Sequence, residues 1–268
     1  RLIKMQMEPD KKEDLEKIPS LKLDDISKEI EKISCKQAQL NGCDVYYNED
    51  KTNKISYIDL TFNSMRVNAE DISYINLLAN LLTEVSTTNM SYDDIAKKTG
   101  IAAGDIDFFA QVMGNFNNCD TFDAYIHCHM ESLQDKRFDL FDVAKEVILN
   151  TKFDEDNKIK EVISRLRVIL EENLVQAGHA TVMRRIQSYY SQTGKYNDLI
   201  SGFGFYEFIC NLDSNYDELK EQVKEKLNEV KNKIFLSDNL FITYVGEEGT
   251  FEPTKESFKT FIDELSKS

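Results

Sequence analysis

The chain has 268 residues, 41% of them hydrophobic and 30% charged, and its 48 Asp and Glu outweigh 33 Lys and Arg to give a net charge of −15. That length and apolar content support one sizeable core. The acidity argues against nucleic-acid binding, which needs a basic face toward the phosphates, and no apolar run approaches the roughly 18 residues of a membrane span.

The five cysteines, Cys35, Cys43, Cys119, Cys128 and Cys210, are odd in number, scattered and without a C-x-x-C pair. This fits reduced thiols in the cytoplasm better than a disulfide framework. Excess acid favours basic peptide partners, or it simply solvates the surface; net charge alone speaks to solubility first.

Residues 1–20 are charge-rich, lack an apolar period and end at Pro19, so they read as the end of a helical linker; the polar opening 1–12 is no signal peptide. Asp24 or Asp25 is placed to cap a short helix running to Ile33. Strands are predicted near 39–47 and 55–62. In the second, Ile55, Tyr57, Asp59 and Thr61 face one way while Ser56, Ile58, Leu60 and Phe62 face the other.

Residues 74–100 read as two consecutive helices. Ile72, Ile75, Leu78, Ala79 and Leu82 recur at i, i+3, i+4 spacing, and Leu77 and Leu81 widen the stripe until most of the circumference is apolar, as in a buried helix. Thr87, Thr88 and Asn89 break it. Ser91 then caps a second helix whose first turn carries Asp93 and Asp94, with Gly100 as its expected terminator.

An antiparallel pair is predicted at 105–115 and 121–131, around an Asn- and Asp-rich turn. A helix over 135–150 should turn Phe138, Phe141, Val147 and Ile148 inward. The longest periodic run, 154–176, carries Ile159, Val162, Ile163, Leu166, Ile169, Leu170 and Leu174. Gly178 interrupts it, and 180–192 resumes as helix. Residues 201–206 form a turn into an aromatic helix. A charged amphipathic helix follows at 217–234, then a strand at 240–245 and a closing helix at 254–266. This order is neither alternating βαβ nor all-helical. It reads as α+β, one mostly antiparallel sheet with helices packed on one face, with residues 1–33 as linker and 34–268 as a single domain.

Few residues suggest chemistry. His127 and His129 share a strand face around Cys128, the right geometry for two metal ligands, but no third or fourth ligand is signalled, and ordinary strand histidines are the favoured reading. His179 follows Gly178 near a helix start, where capping or packing suits it better than catalysis. No phosphate-binding glycine loop and no Gly-x-Ser-x-Gly elbow occurs.

A buried helix, a polar break, Ser91-x-x-x-Ile95, a glycine and two antiparallel strands together resemble the insulinase/pitrilysin superfamily of zinc peptidases. Ser56–Phe62, Leu81-Leu82-Thr83-Glu84-Val85, Gly178-His179, Ser201-Gly202 and Asp238-Asn239-Leu240 are similar to its presequence-protease branch, and residues 18–26 resemble the passage from that branch's interhalf linker into the second half. The likeness covers residues 19–246. It implies a metallopeptidase-like α/β roll, and with Arg1 as first residue it implies a piece of a longer chain.

In catalytic members the first helix carries His-x-x-Glu-His. Laid on this sequence, that motif falls on Leu77, Leu78, Ala79, Asn80 and Leu81, with neither histidine nor the glutamate. Glu171 or Glu172 lies near the family's third zinc ligand, but without the histidines a solvated glutamate is the preferred reading. The resemblance thus implies a second-half, non-catalytic domain of an ATP-independent zinc metalloendopeptidase for unfolded peptides. Zinc would be bound in the parent enzyme and not by this segment, which would have no catalytic, cofactor or metal residues of its own. Its partners would be the catalytic half of the same polypeptide and unfolded peptide substrates. The alternative is a stand-alone scaffold or interaction domain with a degenerate peptidase fold.

Overall fold

The computed structural model describes residues 2–7, 9–29, 34–102, 104–115 and 117–265. It divides into two units, Arg1–Ser34 and Cys35–Ser268. The first contains two short helices, α1 (Leu2–Met7) and α2 (Lys12–Leu15), and a 3-10 turn at Leu23–Asp25. The Asp25 carboxylate accepts from the Lys22 N–H at 2.8 Å, so it caps from the third position of this turn and not, as expected, from the start of a helix that follows. It closes a single turn and does not start a helix: 26–29 are not helical, and 30–33 lie outside the described residues.

The second unit is built on a six-stranded sheet: β1 (Lys36–Leu40), β2 (Cys43–Glu49), β3 (Ile55–Asn63), β4 (Asp105–Asn115), β5 (Asn118–Leu133) and β6 (Leu240–Gly246), in the order β1-β2-β6-β3-β5-β4. Every neighbouring pair is antiparallel except β2 and β6. The single strand expected at 39–47 is in fact a hairpin. Leu40 pairs with Cys43 across Asn41-Gly42, and both turn residues take positive φ, 50° and 89°, as a type I′ turn requires.

Helices cover one sheet face. They are α3 (Ile72–Leu81), α4 (Tyr92–Ile101), α5 (Arg137–Asn150), α6 (Asp156–Gln176), α7 (Gly178–Gln187), α8 (Gln192–Ser201), α9 (Phe203–Ile234) and α10 (Phe251–Glu264). Against them the sheet presents Val45, Ile242, Ile58, Leu60, Phe62, Ile126 and Cys128, all buried. α3 is the central core helix: Ile75, Leu77, Leu78, Leu81 and the following Leu82 are fully buried, and α8 and α9 pack against it.

Ser91 caps α4 as expected. Its hydroxyl accepts from the Asp94 N–H at 3.2 Å, and Asp94 accepts from the Ser91 N–H at 3.3 Å, a reciprocal box. Gly100 does not end that helix, which runs on to Ile101.

The stripe expected along 154–176 is buried only at Ile159, Val162, Ile163 and Leu166. Ile169 is exposed, and Leu170 and Leu174 are half-buried, because the C-terminal half of α6 runs out beyond the neighbours that cover its first half. In α5, Phe138 is only half-buried, beneath the Arg137 guanidinium at 4.2 Å.

The Ser201-Gly202-Phe203-Gly204 stretch joins α8 to α9 around one buried carboxylate. Asp198 accepts from the Phe203 N–H at 3.1 Å, the Gly204 N–H at 3.2 Å and Arg185 Nη1 at 2.6 Å. It thereby occupies the positive N-terminus of the first segment of α9, which kinks at Asn215, where φ is −122° and ψ 19°. A Cβ on Gly202 would stand 2.6 Å from its carboxylate and one on Gly204 2.8 Å, so both glycines are there to let the acid approach. At the far end of α9, the Asn239 amide donates to the carbonyls of Lys233 and Ile234 at 2.9 and 3.0 Å. That explains the Asp-Asn-Leu signature.

Candidate functional site: the open face of the sheet

Each strand alternates, so the residues between the core positions line the opposite sheet face, and the registers place them in rows. One row runs Asp107, His129, Asp59, Thr243, Tyr46 from β4 to β2. The next runs Phe109, His127, Thr61, Phe241, Asp44, and on the other side lie Asp105, Glu131, Tyr57, Val245 and Asn48. Apart from Thr61, these side chains are half-buried or exposed.

The face carries Asp44, Asp59, Asp105, Asp107, Glu131 and, opposite Met113, Asp123, and no Lys or Arg stands in these rows. Carboxylates of one sign on one surface focus a negative potential. Asp107 shows the crowding: partial desolvation and the Asp105 charge push its carboxyl above the ordinary value, opposed by His129.

Aromatic rings cross the same face. Tyr46 meets Phe241 edge-on at 6.2 Å between centroids, and Phe241 meets Tyr125 edge-on at 5.8 Å. Tyr125 lies 6.1 Å from His127, which stacks on Phe109 at 4.7 Å. The result is a belt from β2 to β4 flanked by carboxylates, a surface suited to aliphatic or aromatic groups carried beside cations.

The two strand histidines do share this face, as their spacing predicts, and each has a cross-strand partner that the spacing could not reveal. His129 Nδ1 lies 2.7 Å from Asp59 Oδ1, and His127 Nδ1 lies 3.1 Å from Thr61 Oγ1. His127 Nε2 is buried without a partner. Burial, with help from His129, depresses the His127 pKa below its ordinary 6.5, against the pull of Asp59. Between that depressed value and 6.5 the unfolded chain binds the extra proton. Stability should therefore be flat above pH 6.5 and fall as pH drops through the window. Melting curves across pH 7.5 to 5, roughly the range where His titrates, should show this loss in the native chain and a smaller one in His127→Phe, which keeps the stacked ring. An identical pH slope in both would show that His127 does not titrate differently on folding.

Among the described residues no group of three or more His, Cys, Asp or Glu is arranged to hold a metal ion. The two positions that would need histidine ligands are filled by Leu77 and Leu81, both buried like Leu78 and Ala79 between them, and the glutamate position by Asn80, whose amide donates to the Asn76 carbonyl at 2.7 Å. These apolar side chains offer no donor atom, so this helix does not fit zinc. Glu171 is exposed and paired with Arg167 at 3.0 Å, Glu172 is exposed, and His179 is exposed at the first turn of α7, where none of the helix's residues is packed in a core. The four described cysteines, Cys35, Cys43, Cys128 and Cys210, are free thiols, and burial pushes Cys43 up to about 12. No described helix is long and apolar enough to cross a membrane.

Comparison with known proteins agrees with this geometry. Residues 1–212 match the family of domains associated with subfamily C of the M16 peptidases. The chain is 31% identical over 266 residues to Protein HypA of Clostridium perfringens, covering 99% of this chain and 27% of that protein. It is 23% identical over 267 residues to Presequence protease 1, chloroplastic/mitochondrial, of Arabidopsis thaliana, covering 98% and 24%. It therefore spans about a quarter of the length of these curated relatives.

In fold it is similar to a crystal structure of a peptidase M16 inactive domain from Pseudomonas fluorescens, with a TM-score of 0.60 at 13% identity, covering 87% of this chain and 51% of that one. A conserved protein from Enterococcus faecalis V583 superposes with a TM-score of 0.63 at 15% identity, over 85% and 52%. With a family match over most of its length, the chain belongs to the family of domains associated with subfamily C of the M16 peptidases.

Proposed function

We propose that this chain is a non-catalytic, second-half domain of a longer zinc metalloendopeptidase, and that its open sheet face is a wall against which unfolded peptides are held. The observation that carries this reading is the contrast between two surfaces. The helix that bears zinc ligands in catalytic members is a core helix here, whereas the sheet face is open, aromatic and acidic, with Asp59, Glu131 and Asp107 on the adjacent strands β3, β5 and β4. A flat face of this kind holds a chain without choosing one sequence: stacking and apolar contact are tolerant, and the carboxylates favour cations. Cleavage is assigned to the catalytic half, where the parent's zinc would polarise the scissile carbonyl and activate water. The free thiols support a cytoplasmic setting.

The division of labour can be tested directly. The purified 268-residue chain, incubated with zinc and a fluorogenic peptide, should show no chelator-sensitive turnover, while the full-length polypeptide should. Chelator-sensitive turnover by the chain alone would overturn the reading and return attention to His127 and His129. A full-length polypeptide that also lacks turnover would favour the scaffold alternative.

A further inference from the structure

The α6–α7 arm sits apart from the sheet. Although α7 is amphipathic, none of its residues is buried. On α7 Val182, Met183 and Ile186 recur at helical spacing and are exposed, and so are Val175 at the end of α6 and Tyr189 and Tyr190 in the turn after α7, Val175 by 84% and Tyr190 by 85%. Val168 and Ile169, on α6, are exposed as well. Exposed apolar side chains at this density, with no cover among the described residues, mark a contact surface.

The charge of this region inverts that of the rest. From Asn173 to Asn197 the sequence contains no Asp or Glu, but has His179, Arg184, Arg185 and Lys195, in a chain with net charge −15. Arg185 is committed to Asp198 at 2.6 Å. Arg184 is exposed, and its Nη1 reaches only the Ser201 carbonyl at 3.4 Å; no described carboxylate pairs with it. Beside it opens a cleft of about 270 Å³ whose lining includes Leu170, Leu174, Thr181, Tyr206 and the Arg184 side chain, and so mixes apolar groups with a guanidinium.

We infer that the α6–α7 arm docks onto another segment of the same, longer polypeptide, one that presents an apolar surface with a carboxylate directed at Arg184. This rests on the reading of the chain as part of a longer protein. The relatives it matches are about four times its length, which leaves ample chain to supply the cover. A second copy is a poorer occupant, since pairing two identical surfaces would bring Arg184 and Lys195 toward the same residues with no Asp or Glu between Asn173 and Asn197 to meet them.

Methionine oxidation in the full-length polypeptide reads this without relying on activity, so it stands whether or not peptidase turnover is found. Met183 is 60% exposed and Met65 42%, so with the arm free Met183 should be oxidised by peroxide at least as fast as Met65. Docking should slow Met183 about tenfold relative to Met65. Arg184→Glu, and separately Val182→Asp with Ile186→Asp, should restore the fast rate without loss of helical circular dichroism, because all three side chains are exposed. A fast Met183 in the native polypeptide overturns the proposal. So does protection that survives both sets of substitutions, or protection that disappears on dilution, which would identify a second copy as the occupant.

Discussion

Leu82→Asp is expected to leave the domain unfolded at room temperature, and Leu78→Ala to lower its stability by about 2–5 kcal/mol. Both leucines are fully buried, on or just beyond α3, where sheet, α8 and α9 converge. Truncating Leu78 removes the transfer free energy of its side chain and leaves a cavity in a region too tightly packed to collapse around it. Leu82→Asp is worse: a carboxylate there has neither water nor a described cationic partner. The cost of burying such a charge unpaired is comparable to the whole stability of an ordinary domain, about 5–15 kcal/mol. Thermal melts of the two variants against the native chain measure both effects. An unchanged melt in either would remove α3 from the core and with it the description of the zinc-type helix as a packing element.

The same helix shows what a sequence can reveal. Its apolar residues cover most of its circumference, a purely local pattern, so its burial was legible from the residues alone. Ser91 with Asp94 was legible for the same reason.

What escaped was long-range. β6 enters the sheet between β2 and β3, parallel to the one and antiparallel to the other; nothing in residues 240–246 names those neighbours, because pairing depends on register between segments about 180–200 residues apart, not on local alternation. Ile169 and Leu174 fit a core period yet lie outside the core, since periodicity marks a face and not what covers it. Ser201-Gly202 was noticed as a pattern, but its reason, the approach of Asp198, exists only in three dimensions. The Asn41-Gly42 hairpin could have been read, since that dipeptide is a strong short-range turn signal.

The open face was half legible. Tyr57, Asp59 and Thr61 were assigned together from the alternation of β3, but the rows that set Asp107, His129 and Asp59 side by side emerge only from the register across β4, β5 and β3. Those rows define the second large effect. In the full-length polypeptide, Asp59→Asn, Asp107→Asn and Glu131→Gln combined should reduce kcat/KM toward a basic peptide by about tenfold or more, the lower end of what a focused field contributes to capture.

The substitutions are close to isosteric, and Asp107 and Glu131 are exposed while Asp59 is half-buried, so the fold should survive them. Raising ionic strength should act in the same direction on the native protein: the screening length shrinks from about 10 Å at 0.1 M to about 3 Å at 1 M, and long-range attraction fades with it. An uncharged peptide of similar length should respond weakly to both treatments, because its contacts with Tyr46, Phe241, Tyr125 and Phe109 do not depend on charge. Equal losses for basic and uncharged peptides would show that the carboxylates do not capture substrate through charge. Selection would then fall to the aromatic belt and to the size and flexibility of the peptide.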